Sequence, residues 1–356
     1  MSIAPKLGAM THIDLKGLTP KQIDHFCVAE LGQKPGRGLA VAARLFRDRM
    51  EDLSALPGIN RGLLSGIASR CEVSTISVER TETSKDGTLK LLYRLRDGNT
   101  VEGVLIPGPN NRLTMCISTQ VGCASGCRFC LTGSSGFIRN LTAAEMVNQV
   151  FAAHRLAGAA AVTNLVLMGT GEPLANYEAV RTFVEIAVDR NGMGYSNRKV
   201  TVSTSGIAPM IERMADEIEA SLAVSLNAVS DDIRSGLMPI NDRYPISRLL
   251  QSIGRYTEKT GRSVTIEYVL IKGVNDSVED AKRLAELFSE IPCMINILLF
   301  NPFPGSSFER PEDGRASVFR DVLVSRDMVA VVRKSRGWDI QAACGQLRAS
   351  GTALIR

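Results

Sequence analysis

The chain has 356 residues, of which 44% are hydrophobic and 22% are charged, and this composition is typical of a globular protein with a sizeable core. Its first residues, MSIAPKLGAM, lack the charged and then apolar run of a secretory signal, and no apolar stretch approaches the length of a membrane span. We therefore expect a cytoplasmic protein with no membrane partner.

The net charge of +5 is concentrated in the N-terminal part of the chain. Residues 1–100 contain 15 Lys and Arg against 11 Asp and Glu, a surplus of +4. Such a surplus suits a polyanionic partner, although charged runs more often form a solvated surface.

Three helices are predicted near the N-terminus. The first covers residues 13–31, with Thr19-Pro20 as a start signal and apolar residues at helical spacing after it. The second and third cover 38–50 and 61–70. Together they predict a helical accessory domain over residues 1–72.

Residues 73–110 predict a small β-hairpin region. Strand-like alternation runs to position 106, and Asp86-Gly87 and Asp97-Gly98 mark two tight turns. Glu102 lies in the last of these strands, shortly before a Pro- and Asn-rich connection.

From residue 114 onward, strands and helices alternate. The predicted strands are 114–120, 163–169, 199–204, 221–226, 263–271 and 294–300. The predicted helices between them are 142–157, 177–190, 207–218, 245–260 and 277–289. Six βα units predict an α/β fold with a parallel sheet curved into a partial (β/α)6 barrel over 111–347, followed by a tail at 348–356. Ligands of such a barrel bind at the carboxyl ends of its strands.

The loop after the first barrel strand contains three cysteines in a C-x3-C-x2-C spacing, Cys123, Cys127 and Cys130. A structural zinc site and an ordinary [4Fe–4S] cluster each use four protein ligands. Three thiolates therefore predict a [4Fe–4S] cluster with one open iron, which the amino and carboxylate groups of S-adenosylmethionine (SAM) can fill. The alternatives are a zinc site completed by a distant ligand and three buried thiols.

Polar turns follow several other predicted strands. Gly171 and Glu172 follow the second strand, and the glutamate can receive an ammonium group. The other turn residues of this kind are Ser203, Ser225, Leu226, Asn227 and Asn301. Each alone is compatible with ordinary turn chemistry. Their shared position at the mouth that contains the cysteine loop predicts one ligand site.

Two further cysteines lie outside the loop. Cys116 is on the first barrel strand, and Cys344 is in a small-residue segment beside Gly345. Base rates for free cysteine favour a buried thiol at either position.

The chain resembles the radical SAM RNA methyl synthases of the RlmN/Cfr family from about residue 13 to about residue 347. The resemblance is carried by CISTQVGCASGCRFC, GFIRNLT, VLMGTGEPLAN, VTVSTSG, LMPINDRYPI, IEYVLIKGVND, NPFPG and VRKSRGWDIQAACGQL. It implies a radical SAM barrel that binds a [4Fe–4S] cluster and SAM, with the helical segment as the RNA-binding accessory domain.

The resemblance also implies a role for each residue singled out above. The three loop cysteines would bind the cluster, and the polar turn residues from Gly171 to Asn301 would contact SAM. Cys344 would carry a methyl group from one SAM, Cys116 would resolve the resulting protein–RNA crosslink and form a disulfide with Cys344, and Glu102 would act as general base. The family usually has histidine at the position of Asn227, whose amide cannot titrate.

The implied reaction is methylation of C2 of an adenosine in 23S rRNA and in tRNA, with two SAM molecules per turnover and a one-electron donor such as flavodoxin. C2 lies between two ring nitrogens and is too electron-poor to attack a methyl sulfonium, which explains the need for a radical. Two alternatives stay open. One is a Cfr-like enzyme that methylates C8 and confers antibiotic resistance, which LMPINDRYPI and GVNDS resemble, and the other is a non-catalytic metal-binding protein associated with RNA.

Overall fold

The computed structural model describes residues 12–134, 136–158 and 161–347. The α-helices are α1 Pro20–Leu31, α2 Arg37–Phe46, α3 Arg61–Ala68, α4 Ala143–Ala157, α5 Tyr177–Val188, α6 Ala208–Glu217, α7 Asp231–Leu237, α8 Ile240–Arg243, α9 Ile246–Thr260, α10 Val278–Leu287 and α11 Asp313–Val324. The strands are β1 Ile13–Asp14, β2 Cys71–Glu72, β3 Ser77–Thr83, β4 Leu89–Arg94, β5 Thr100–Pro107, β6 Leu113–Cys116, β7 Gln120–Gly122, β8 Phe137–Asn140, β9 Asn164–Leu167, β10 Val200–Thr204, β11 Ser221–Ser225, β12 Val264–Leu270, β13 Cys293–Leu299 and β14 Val329–Arg333. Across the described ranges, no helix combines the length and the apolar character needed to cross a bilayer.

Ten strands form one mixed sheet in the order β14-β13-β12-β11-β10-β9-β6-β5-β4-β3. The strands from β14 to β6 pair in parallel and alternate with helices along the chain, as the prediction of a partial α/β barrel requires. Strands β5, β4 and β3 continue the same sheet in antiparallel fashion. The predicted hairpin region is therefore joined to the barrel by backbone hydrogen bonds.

The two faces of the barrel sheet differ in polarity, and β12 illustrates why. Val264, Ile266, Tyr268 and Leu270 are buried, and they alternate with half-buried residues such as Glu267. Because successive side chains of a strand point to opposite faces, the apolar set packs under the helices. The polar set faces the concave interior, which leaves that interior available for a ligand.

Several predicted elements have different bounds in the structure, and two of these differences have a clear cause. The first helix begins at Pro20 instead of residue 13, because Thr19 and Gln22 form a capping box that starts the helix there. The first barrel strand ends at Cys116 instead of residue 120, because Gln120–Gly122 turns away to pair with Phe137–Asn140. Helices α7, α8 and α11 and strands β1, β2, β8 and β14 were not predicted.

The division into domains at residues 72 and 110 stays a prediction, and the predicted tail at 348–356 lies outside the described residues. A single buried cation nevertheless connects the N-terminal segment to the barrel. Lys16 is fully buried, and its Nζ donates to the carbonyl oxygen of Ser74 at 2.8 Å and to Oδ1 of Asn148 on α4 at 2.6 Å. The same ammonium pairs with Glu51 and lies 4.5 Å from the centre of the Phe151 ring. Burial lowers the pKa of Lys16 by desolvation, while Glu51 favours its charged form.

We predict that Lys16→Met lowers the free energy of unfolding by about 3 kcal/mol, because it leaves buried acceptors on Asn148 and Ser74 without a donor. Denaturant unfolding followed by circular dichroism measures this change. Lys21→Met, which removes an exposed ammonium from α1, is the matched control and is expected to change stability by less than about 0.5 kcal/mol. Equal losses in the two variants would contradict the role assigned to Lys16.

Candidate active site

The cysteine loop is shaped by a close backbone approach at Gly122. This residue has φ 77°, and a Cβ there would lie 1.9 Å from the carbonyl oxygen of Gly136. That carbonyl accepts a hydrogen bond from the N–H of Cys123 at 2.8 Å. Only glycine allows this contact, and the contact fixes the start of the loop at the carboxyl end of the barrel.

Cys123, Cys127 and Cys130 line one cavity of about 180 Å³, here called the cluster cavity. Desolvation by burial raises the pKa of the Cys123 and Cys127 thiols, and the neighbouring thiols raise that of Cys127 further. Within the described ranges, no three His, Cys, Asp or Glu side chains are grouped as one metal ion requires. A [4Fe–4S] cluster makes a different demand, because each thiolate binds its own iron atom and loses its proton on binding. Three thiols on one loop facing a cavity fit that group.

Five of the predicted SAM-binding residues line the same cavity, namely Gly171, Glu172, Ser203, Ser225 and Asn301. Glu172 is buried, and its two carboxylate oxygens accept the N–H groups of Leu174 at 3.0 Å and Ser205 at 2.7 Å. Each oxygen has a further lone pair for a ligand. Desolvation raises the pKa of this carboxyl, so a ligand ammonium would stabilise its charged form.

The other two predicted SAM-binding residues lie behind the cavity wall. Leu226 is fully buried. Asn227 has φ 59°, its Oδ1 accepts the N–H of Val269 at 2.8 Å, and its Nδ2 lies 3.2 Å from the Met238 sulfur. The side chain of Asn227 is therefore used to hold its own loop. A SAM contact at these two positions stays a prediction.

Arg234 organises the strand-end loops and was missed by the sequence analysis. It is fully buried, and its guanidinium donates to the carbonyl oxygens of Leu226 at 3.0 Å, Ser205 at 2.7 Å and Ser225 at 3.2 Å. Desolvation lowers its pKa to about 10. These bonds tie the loops after β10 and β11 together. In the sequence, a lone arginine in a short polar helix gives no sign of this role.

A second cavity of about 310 Å³, here called the thiol cavity, is lined by Cys116 and Cys344. Both cysteines are free thiols. Cys116 is buried and packs in a small apolar cluster with Ala342 and Leu347, which flank Cys344 in the chain. The structure therefore brings together two thiols that are 228 positions apart in the sequence.

Cys344 lies where the two cavities meet, since it lines both. The N–H of Leu131 in the cysteine loop donates to the carbonyl oxygen of Gly345 at 2.7 Å, and Thr132 Oγ1 donates to that of Leu347 at 2.6 Å. From the other side, Asn301 Nδ2 donates to the carbonyl oxygen of Cys344 at 3.2 Å. The segment that carries Cys344 is thus held between the cysteine loop and the loop after β13.

Glu267 also lines both cavities and was missed by the sequence analysis. It pairs in register with Ser225 on β11 and Asn296 on β13, and Asn296 Nδ2 donates to its Oε1 at 2.9 Å. Burial raises its pKa. Cys344 itself is an exposed residue, and desolvation by the protein around its sulfur, followed by the charge of Glu267, raises the pKa of its thiol to about 11. The sequence feature that could have identified Glu267 is a charged residue within the otherwise largely apolar strand VTIEYVL.

Glu102 lies at the edge of this arrangement. It is buried on β5, and Lys90 Nζ is 3.8 Å from its Oε1 while donating to the carbonyl oxygen of Ile340 at 2.7 Å. Val104, on the same face of β5, lines the thiol cavity, whereas Glu102 is outside the lining of both cavities as described. Its role as a base stays a prediction.

Comparison with known proteins points to one family. The chain matches the model of the radical SAM superfamily over residues 117–287. Two proteins named dual-specificity RNA methyltransferase RlmN, from Anaeromyxobacter dehalogenans and Syntrophotalea carbinolica, are 44% identical to it over 345 and 338 residues, which is 95% of this chain and 92% and 90% of theirs. The crystal structure of a radical SAM methyltransferase from Sphaerobacter thermophilus matches with a TM-score of 0.88 at 44% identity, covering 95% of this chain and 100% of that chain.

We predict that alkylation of Cys344 by iodoacetamide in the ligand-free protein rises about tenfold per pH unit up to a pKa of about 11, because only the thiolate reacts. Glu267→Gln removes a nearby negative charge and is expected to lower that pKa, so labelling at a fixed pH becomes faster. Peptide mass spectrometry of the Cys344 fragment gives the rates. Glu290→Gln, which alters an exposed carboxylate, is the control, and identical profiles for the two variants would contradict the electrostatic coupling.

Proposed function

The chain belongs to the RlmN family of radical SAM RNA methyltransferases, which bind a [4Fe–4S] cluster and SAM, and from this premise we propose that it methylates C2 of an adenosine in 23S rRNA and in tRNA. The observation that carries the proposal is the meeting of Cys116 and Cys344 at one cavity that opens onto the three-cysteine loop. A non-catalytic metal-binding protein would have no use for two further thiols beside the three that bind its metal.

The residues of the cluster cavity suit the cofactors. Cys123, Cys127 and Cys130 would hold the cluster, and Glu172 would receive the amino group of SAM. When bound, the cluster and SAM supply one-electron chemistry that removes a hydrogen atom from an unactivated methyl group. An electron donor is required for this step, and we propose a flavodoxin. Because ribosomal RNA and tRNA are the proposed substrates, we propose that the reaction takes place in the cytoplasm.

Cys344 is the proposed methyl carrier. Its sulfur takes the methyl group of SAM in a displacement that leaves S-adenosylhomocysteine, and the thiol proton must leave at the same time. Because partial desolvation and the charge of Glu267 raise the pKa of this thiol to about 11, a base or the positive sulfonium beside it has to favour the thiolate. The position of Cys344 at the junction of the two cavities lets it face SAM on one side and the nucleotide on the other.

Cys116 and Glu102 are proposed to act after the carbon has joined the base. Glu102 accepts the proton that leaves C2, and the one electron that must leave with it to restore the aromatic ring would be taken up by the bound cluster. The Cys116 sulfur then attacks the Cys344 sulfur, so that an S–S bond forms, the carbon–sulfur bond breaks with its electron pair going to carbon, and that carbon takes a proton to become the new methyl group. The disulfide must be reduced by a thiol or another reductant before the next turnover. The adenosine must be unstacked to reach the cavity, which favours loops of folded RNA.

The reaction is tested with anaerobically reconstituted enzyme, SAM, a reductant and unmodified 23S rRNA or tRNA. Nucleoside mass spectrometry is expected to find 2-methyladenosine, and 5′-deoxyadenosine is expected as a second product. Formation of 8-methyladenosine instead would show that the carbon is delivered to C8. A protein that contains one zinc ion and forms neither product would overturn the assignment as an enzyme.

We predict that Cys344→Ala binds the cluster with unchanged absorbance but makes no methylated RNA, because the carbon carrier is lost. Cys116→Ala is expected to accumulate a covalent protein–RNA adduct, visible as a band that shifts on a denaturing gel and disappears with nuclease. Cys293→Ala, a half-buried thiol on the first residue of β13, is the control and should retain methylation. Full activity of Cys344→Ala would refute the two-thiol scheme.

A further inference from the structure

Trp338 is the only tryptophan in the chain and lies largely in solvent. Its exposed fraction is 68%, the highest among the large hydrophobic residues that the structure describes. An indole left in water contributes little to the stability of the fold. A large exposed aromatic ring of this kind is typical of a surface that binds a partner.

The backbone that carries Trp338 is held firmly although the side chain is free of the core. The N–H of Ala342 donates to the carbonyl oxygen of Gly337 at 2.8 Å and closes the turn around the tryptophan. Gly337 is buried with φ 66°, and a Cβ there would lie 2.8 Å from that of Ala342. Next to the indole, the carboxylate of Asp339 accepts hydrogen bonds from Ser84 Oγ and the N–H of Lys85. Because the backbone of the turn is fixed, only the side-chain rotation of Trp338 is lost when a partner stacks on the ring.

The turn is at the rim of the thiol cavity. The residues before it, from Arg333 to Arg336, line that cavity, and so do Ala342, Ala343 and Cys344 after it. Trp338 is six positions from the proposed methyl carrier. A group stacked on this indole therefore lies beside the opening through which a nucleotide has to reach the two thiols.

The same rim carries an unbalanced positive charge. Four exposed basic residues line it, here called the rim cations: Arg112, Arg333, Lys334 and Arg336. Arg336 has the carboxylate of Asp86 at 3.9 Å, and Arg333 is near enough to Glu267 to lower the pKa of that carboxyl. Among the described residues, no Asp or Glu oxygen lies within 4 Å of the other three. Cations without such partners are available for phosphate groups.

An exposed aromatic ring with unpaired cations around it is the arrangement by which proteins bind unpaired nucleotides. Resting on the function proposed above, we propose that this rim binds single-stranded RNA, with Trp338 stacking on an unpaired base next to the target adenosine and the rim cations binding the flanking phosphates. A double-stranded segment fits less well, because its bases are stacked on one another and leave no face for the indole.

The single tryptophan provides a direct measurement. The reconstituted enzyme is titrated with a single-stranded RNA oligonucleotide and, separately, with an abasic oligonucleotide of equal length and charge, while tryptophan emission is recorded. Stacking predicts strong quenching by the RNA and much weaker quenching by the abasic chain, and any absorption by the cluster is the same in both titrations. Equal quenching by the two chains would overturn the stacking role.

Variants separate stacking from charge. Trp338→Ala is expected to weaken RNA binding about tenfold, which corresponds to ~1.4 kcal/mol of base–aromatic stacking, whereas Trp338→Phe should retain most of the affinity. Lys334→Ala should weaken binding of both chains and reduce the salt dependence by about one phosphate contact. Arg283→Ala, which removes an exposed cation from α10 on the outer helical layer, is the charge-matched control.

Failure of this inference is distinct from failure of the proposed function. If the enzyme methylates RNA but Trp338→Ala binds RNA as tightly as the parent protein, the proposed RNA-binding role of the rim is refuted and the proposed function is unaffected. If RNA quenches the tryptophan emission selectively but the protein methylates no RNA, the RNA-binding role of the rim is supported and the proposed methyltransferase function is refuted. If Trp338→Ala unfolds at the same temperature as the parent protein, any loss of RNA affinity comes from the missing indole and not from a destabilised fold.

Discussion

The attachment of the C-terminal segment to the cysteine loop is the constraint on which the site depends. Two hydrogen bonds, from Leu131 to Gly345 and from Thr132 to Leu347, hold residue 344 beside residues 123–130. The approach is close, since a Cβ on Gly345 would lie 3.2 Å from the carbonyl oxygen of Phe129. Without this attachment, Cys116 would face a barrel open to solvent, and Cys344 would have no fixed position relative to SAM.

A concave interior lined with polar groups is costly unless those groups find partners. Arg234 satisfies three strand-end carbonyl oxygens, and Asn296 satisfies Glu267. Two buried polar atoms of described residues that line the cavities, Ser205 Oγ and Asn296 Oδ1, nevertheless have no partner. Their positions in the linings of the cluster cavity and the thiol cavity suggest that ligand groups complete their hydrogen bonding.

The sequence was sufficient for the parts of the site that depend on local pattern. The alternation of strands and helices predicted the barrel, and the position of polar turns after its strands predicted that Glu172, Ser203, Ser225 and Asn301 share a cavity with the cysteine loop. Contacts between segments that are distant in the chain could not be predicted from the sequence. Nothing in the local sequence indicates that Arg234 reaches the carbonyl oxygen of Ser205, or that β14 joins the barrel, because both depend on tertiary packing rather than periodicity.

The orientation of the Asn227 side chain could not be predicted from the sequence either. Its neighbours suggested a ligand contact, yet the left-handed backbone at this position turns the side chain toward the N–H of Val269. An asparagine tolerates that conformation and can bond its own loop. The residue therefore serves the shape of the loop, and Ser225 just before it is the side chain that lines the cavity.

Two neighbouring thiols are prone to form a disulfide, and the structure opposes that reaction electrostatically. Thiol–disulfide chemistry requires a thiolate. Burial raises the pKa of the Cys116 thiol. Cys344 is an exposed residue, but local desolvation and the charge of Glu267 raise the pKa of its thiol to about 11. The neighbouring Cys344 thiol raises the pKa of Cys116 further, since two adjacent thiolates would repel. Both sulfurs are thereby kept protonated at neutral pH until a cationic ligand or a base draws a proton away. In the scheme proposed above, Cys344 reacts with a methyl sulfonium first and with Cys116 only after the carbon has been delivered, and the raised pKa values of the two thiols favour that order of events.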